Sequence, residues 1–168
     1  MNFLKNLFSE KKRAGSNWQE KTILCPLKGN VIPLSEVNDP VFAHGILGPG
    51  IGIEPEEGRL CSPVNGVVSA IYPTGHAIGL QSTDGMEILI HVGINTVEMK
   101  GNGFSNRVKQ GQKVKAGDIL SEIDISKIRE AGYLTTTMIL VTNADIMGEL
   151  TVEAFGETEA LAPVCRFQ

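Results

Sequence analysis

The sequence predicts an all-β fold, an antiparallel β-sandwich or flattened barrel with one or two very short helices. Three observations carry that expectation. The 168 residues include 19 glycines and 8 prolines, an excess of turn formers that suits many short strands. Short segments rich in Val, Ile and Thr recur along the chain. Gly, Pro, Asn or Asp bound most of these segments.

Residues 1–20 read apart from the rest. Phe3, Leu4, Leu7 and Phe8 recur at helical spacing, Lys5, Asn6, Ser9 and Glu10 fall largely on the other side, and Lys11-Lys12-Arg13 follow. Such a peptide could lie on an anionic membrane surface through residues 1–13. It could equally be a loose tail, since isolated helices this short are marginal in water. Ala14–Glu20 reads as a linker, and residues 21–168 as the β-domain. There the expected strands are Ile23–Leu27, Gly29–Leu34, Gly66–Tyr72, His76–Ser82, Met86–Val92, Gly117–Ile123, Thr135–Thr142 and Leu161–Phe167. Only Ser126–Ala131 and Ala144–Leu150 suggest helix. Cys25-Pro26-Leu27-Lys28-Gly29-Asn30-Val31 echoes Ser62-Pro63-Val64-Asn65-Gly66-Val67-Val68, with Pro and Gly at matching offsets. Either the chain holds an internal pseudo-repeat, or P-x-x-G is common turn chemistry.

Composition narrows the function. A formal charge of −4, from 15 Lys+Arg against 19 Asp+Glu, argues against nucleic acid as partner. Cys25, Cys61 and Cys165 are odd in number and form no CxxC pair, which fits a reducing compartment rather than a disulfide framework. No apolar run reaches the ~18 residues of a membrane span. With no signal-peptide pattern at the start, a cytoplasmic location is expected, with peripheral membrane contact through the N-terminal segment as the alternative.

The stretch His76–Ile94 carries the chemistry. It sets two of the three histidines on two alternating strands joined by Ser82-Thr83-Asp84-Gly85. A four-residue loop would place His76 opposite His91, with Cβ atoms ~5 Å apart. A two-residue Asp84-Gly85 turn would make them diagonal neighbours at ~7 Å. A three-residue loop would send them to opposite faces. Either of the first two registers groups His76, Ile78, Leu80, Leu89 and His91 on an outward face and leaves Met86, Ile88, Ile90 and Val92 to the core. Close imidazoles resist double protonation, so one stays neutral near pH 7. Metal ligation, acid–base work and nucleophilic attack through a covalent histidine intermediate are all open to such a pair. In the last case the second ring, helped by the Thr74 hydroxyl, could steady phosphoryl oxygens. No nucleotide-binding loop is present, so a phosphoryl group would have to come from another protein or a small donor.

The run Ile88-Leu89-Ile90-His91-Val92-Gly93-Ile94-Asn95-Thr96-Val97-Glu98-Met99-Lys100-Gly101-Asn102-Gly103-Phe104 resembles the phosphorylation-site signature of glucose-type EIIA components, the type-1 EIIA domains of the bacterial phosphoenolpyruvate-dependent sugar phosphotransferase system. Pro40–Ala43, Gly48–Ile53, Ser62–Gly66, Thr74–Ala77 and Val114–Asp118 match as well. The resemblance spans roughly Thr22 to Phe167, with a core at about 40–144. It implies an antiparallel β-sandwich and a phosphocarrier acting through phosphohistidine. In the resemblance, His91 is the residue phosphorylated by phospho-HPr, His76 is needed for onward transfer to a cysteine of an EIIB domain, and Thr74 orients His76. Val41, Phe42, Ile46, Ile71, Ile78 and Leu89 fall in an apolar docking ring, and Asp39 and Glu98 at its charged rim. Asn95 departs from the family, which usually carries Asp there, and bears on donor docking. His44 reads as a surface residue.

No cofactor is required for such a transfer, although His76 and His91 could share Zn²⁺ with a partner's carboxylate. An EIIA-like regulatory module, whose phosphorylation state is read by partner proteins, is the alternative function. Two further rivals fit less. A zinc endopeptidase lacks its H-x-H and H-x-x-x-D motifs, and a biotinyl or lipoyl carrier would need Lys100 at a hairpin tip.

Overall fold

A computed structural model describes residues 18–168, so the amphipathic reading of residues 1–13 lies outside the described residues. Fourteen strands and a few short helical turns follow one another from Thr22 onward. Strands β1 (Thr22–Leu24), β2 (Gly29–Pro33), β3 (Gly50–Pro55), β4 (Arg59–Cys61) and β5 (Gly66–Ile71) come first. Then come β6 (Ala77–Ser82), β7 (Glu87–Ile94), β8 (Phe104–Asn106), β9 (Lys113–Val114), β10 (Ile119–Ile123) and β11 (Leu134–Val141). The last are β12 (Leu150–Val152), β13 (Gly156–Thr158) and β14 (Pro163–Phe167). Helices α1 (Pro40–Ala43), α2 (Ile125–Glu130) and α3 (Ala144–Met147) are a turn or so each, and Leu34–Glu36 and Thr96–Met99 are 3₁₀ turns.

The sequence anticipates eight of these strands and two of the helices. It misses β3, whose alternating glycines dilute the strand signal, and the shortest strands, β4, β8, β9, β12 and β13. It also misses α1, where Pro40 occupies the first turn and the Asp39 side chain accepts from the Val41 N–H at 2.9 Å.

All strand pairs are antiparallel. An eight-stranded sheet runs in the order β13-β2-β3-β11-β7-β6-β5-β9, and two three-stranded sheets run β1-β14-β12 and β4-β10-β8. The large sheet is open rather than closed into a barrel, so the sandwich expectation holds and the barrel variant does not. The main core holds Ile51, Ile53, Leu60, Ile90, Leu120 and Ile139, each almost wholly excluded from solvent. A second cluster, Val37, Phe42, Ile94, Met138 and Leu140, fills the other side of β11. Strand β11 is therefore buried on both faces from Thr135 to Val141, and it reads as a continuous rather than alternating run.

The P-x-x-G echo marks a structural repeat that runs through the whole domain. Strands β4 to β10 repeat β1, β2, β3, β11, β12, β13 and β14, so one repeat is inserted within the other. Pairings match position by position. Leu24 faces Pro163 as Cys61 faces Ile119, and Leu150 faces Phe167 as Phe104 faces Ile123. The Cys25 amide and carbonyl bond Ala162 O and Leu161 N, both at 2.7 Å. The Ser62 amide and carbonyl bond Asp118 O at 2.8 Å and Gly117 N at 2.9 Å. The repeats also clasp each other, Leu24 N–H donating to Pro63 O and Cys61 N–H to Pro26 O. Gly29 and Gly66 open equivalent strands, and a Cβ on either would lie 2.2 or 2.1 Å from a carbonyl oxygen of the next strand. Close backbone approach, not turn chemistry alone, requires glycine at both.

The three cysteines are buried thiols. Among the described residues no helix is long and apolar enough to cross a membrane.

Candidate functional site

The β6–β7 hairpin differs in register from both expected versions. Gln81 faces Glu87 and Ala77 faces His91, and the Ser82 N–H donates to Met86 O at 2.9 Å. The loop is therefore the three residues Thr83-Asp84-Gly85, with Gly85 at φ +98° as the left-handed residue that closes it. Ser82 selects this length: its hydroxyl accepts from the Met86 N–H at 2.8 Å and donates to Asp84 Oδ1.

Strict alternation would then separate the histidines. They meet because His76 is not in the strand. It sits in a bend after the Pro73-Thr74-Gly75 turn, Gly75 taking φ +74°, and only its carbonyl joins the ladder, accepting from the Val92 N–H at 2.8 Å. Freed from the pleat, the His76 ring packs edge-on against His91, centroids 5.0 Å apart at 77°. The expected juxtaposition is present, through a local bend rather than through the register.

Each ring is held at Nδ1. The Thr74 hydroxyl and His76 Nδ1 are 2.6 Å apart. His91 Nδ1 lies 2.9 Å from Gly93 O. A carbonyl only accepts, so His91 must carry its proton on Nδ1, which leaves the Nε2 lone pair free. His76 is buried with 6% of its surface exposed, and His91 is half-buried. Desolvation lowers the pKa of both. For His91 the nearby His76 lowers it further, while the Gly93 hydrogen bond and the Asp39 carboxylate pull the other way. Both rings therefore favour the neutral form at pH 7.

Phe42 lies against His91 with ring centroids 4.9 Å apart, and Tyr72 lies against His76 at 5.7 Å. Of the residues expected around the site, Val41 and Ile46 are exposed and Leu89 and Ile71 are half-buried, with Leu89 two residues from His91 on the outer face. Phe42 is buried beside His91. Asp39 caps α1 and acts on His91 through its charge, and Glu98 is exposed on the Thr96–Met99 turn. Ile78 is a correction. It pairs with Ile90 and is buried in the core, so it cannot face a partner, because the three-residue loop moves every side chain of β6 to the opposite face. Leu80 is buried with it. Tyr72, exposed and set edge-on against His76, stands beside the rings, and the sequence reading misses it. Its signal was an aromatic residue just before a Pro-Thr-Gly turn.

Lys100 follows a 3₁₀ turn on the way from β7 to β8, which pairs with β10 rather than β7, so it stands at no hairpin tip. Among the described residues no three His, Cys, Asp or Glu side chains are placed to hold a metal ion together. His76 and His91 offer two imidazoles, and a third ligand would have to come from another molecule.

Such a pair, with one ring's Nε2 free and the other poised beside it, suits nucleophilic chemistry supported by a neighbouring donor. Residues 21–147 match the family model described as phosphoenolpyruvate-dependent sugar phosphotransferase system, EIIA 1. The chain is 39% identical over 159 residues to the glucose-specific EIIA component of Halalkalibacterium halodurans, covering 93% of this chain and 92% of that protein. It is 48% identical over 132 residues to the beta-glucoside-specific EIIBCA component of the same organism, covering 79% of this chain but 21% of that longer protein. In three dimensions it superposes on the glucose permease IIA from Mycoplasma capricolum with a TM-score of 0.78 and 36% identity, over 86% of this chain and 93% of that one.

Proposed function

Since the chain belongs to the EIIA 1 family of the phosphoenolpyruvate-dependent sugar phosphotransferase system and is a phosphocarrier of that system, we propose that His91 accepts the phosphoryl group from phospho-HPr and passes it to a cysteine of an EIIB domain. The observation that carries this is the pair of Nδ1 contacts. With the His91 proton held on Nδ1 by Gly93 O, Nε2 presents a lone pair to an incoming phosphorus. As the Nε2–P bond forms, the bond to the donor histidine breaks and that histidine leaves with the electron pair. The positive charge developing on the His91 ring is steadied through Nδ1–H by the Gly93 carbonyl.

His76 has the complementary state in this reading. The Thr74 hydroxyl donates to its Nδ1, so its Nε2 carries a hydrogen that can donate to the phosphoryl oxygens. In onward transfer the cysteine thiolate attacks phosphorus, the P–N bond breaks, and its electron pair returns to His91 Nε2. Relatives in which an EIIA region shares one chain with EIIB and EIIC regions support the choice of acceptor. Tyr72 beside His76, with the exposed apolar Val41 and Ile46, suits brief docking of two successive partners. The transfer needs no cofactor; zinc shared with a partner's carboxylate would be a separate use of the same rings. The reading places the domain in the cytoplasm, where its donor works.

Incubation with radiolabelled phosphoenolpyruvate, Enzyme I and HPr is expected to leave one acid-labile phosphate on His91. His91→Ala should lose it. His76→Gln should accept phosphate and fail to pass it on. Label elsewhere, or normal sugar phosphorylation by the His76 variant, would overturn these assignments.

A further inference from the structure

We infer that Thr96 is a positioning residue for the transfer, holding the Gly93 carbonyl where it keeps the His91 proton on Nδ1. The inference rests on His91 being the acceptor. Gly93, next to last in β7, takes φ +76°, turning its carbonyl toward the ring two residues back. Such a backbone needs something to hold it, because glycine alone leaves it free to relax. Thr96 supplies that from both ends. Its hydroxyl donates to the Val92 carbonyl, fixing the peptide that leads into Gly93. Its methyl fills the space above the Gly93 Cα, where a Cβ would come within 2.3 Å of Thr96 Cγ2. Thr96 is wholly buried, so no solvent competes for the hydroxyl.

The wider pairing cannot do this work alone. The β7–β11 register shifts between the pairs Thr137–Val92 and Leu134–Ile94, so the ladder is irregular where Gly93 sits. Thr96 spans that gap from Val92 to the start of the 3₁₀ turn. Its hydroxyl bonds a backbone carbonyl rather than either ring, so its effect reaches His91 through the Gly93 carbonyl.

The test uses the full chain and reads the proton directly. In ¹⁵N spectra of the imidazole rings near pH 8, wild-type His91 should be in the Nδ1–H tautomer. Thr96→Val keeps the shape and loses the hydroxyl, and it should show a mixed tautomer population. It should also slow phosphorylation by phospho-HPr by roughly tenfold to a hundredfold, the cost of a small misplacement. Thr96→Ser, which restores the hydroxyl, should restore tautomer and rate. If Thr96→Val does not fold, Thr96→Ala set against Thr96→Ser isolates the hydroxyl, since both lack the γ-methyl. A variant that lacks the hydroxyl yet keeps the wild-type tautomer overturns the inference, whatever its stability. Failure of the acceptor assignment would look different: wild-type protein labelled at another residue, with these spectra unaffected.

Discussion

Gly93 gives His91 its acceptor, and the cost of that arrangement is spread over neighbouring residues. A histidine near neutrality chooses its tautomer by the partner of one nitrogen, and here that partner is a backbone oxygen that cannot itself ionise. The Nδ1 lock therefore holds across the pH range in which the ring is neutral. Because burial depresses both imidazoles below their ordinary 6.5, the unfolded chain binds protons that the folded one refuses as pH falls through that value. Stability should therefore fall from about pH 6.5 downward and level off once the folded rings are protonated. Denaturant midpoints measured from pH 8 to pH 5 should show this slope, and a His76→Gln, His91→Gln double variant should lose much of it. Asn95 follows a similar logic. It takes φ +61° at the head of the 3₁₀ turn, a left-handed position that asparagine tolerates well. Backbone fit gives an amide side chain a use at that position.

At the scale of elements, the sequence shows which strands matter but not how they are joined. The Ser-Thr-Asp-Gly run announces a turn, yet loop lengths of two, three and four residues all satisfy it. The choice depends on the Ser82 hydroxyl reaching the Met86 amide, a contact that no periodicity reports. The same choice explains why Ile78 is core rather than rim. The His76–His91 meeting is legible as two histidines on one hairpin, but the bend at Gly75–His76 that produces it is not. Helix α1 was equally hidden, although its parts, Asp39 then Pro40, are an N-cap followed by a first-turn proline. That helix brings Phe42 to His91, so its cap has a functional edge. Asp39→Ala should cost about 1 kcal/mol of stability as a lost cap. It also removes a charge that favours protonation of His91. Asp39→Asn should keep most of the stability yet still lower the His91 pKa. Thermal melts and ring titrations of the two variants separate cap from charge.

Over the whole molecule, what the sequence hinted at in one heptapeptide pair becomes a two-fold relation across fourteen strands. It was faint because the repeats share backbone requirements, such as Gly29 and Gly66, more than side chains. One repeat is nested inside the other, and β7 and β11 pair along the seam, so neither closes its half of the large sheet alone. Unfolding should therefore be a single transition, with calorimetric and van't Hoff enthalpies equal. The slowest amide exchange should fall in β7 and β11. Two separable melting steps would show that the repeats are independent.

The two-fold relation also has an inequality built into it. Val141 N–H donates to Pro49 O at 2.9 Å as Val92 N–H donates to His76 O, and Leu140 occupies the place of His91. A proline and a sealed leucine thus stand where their twins are imidazoles, and Phe42, from a helix that only one repeat possesses, lies against the His91 ring and shares a buried cluster with Leu140. Symmetry built a scaffold with two potential seats and left one of them inert. In the proposed reading each chain then carries cargo in a single berth, and successive donor and receiver take turns at the same door.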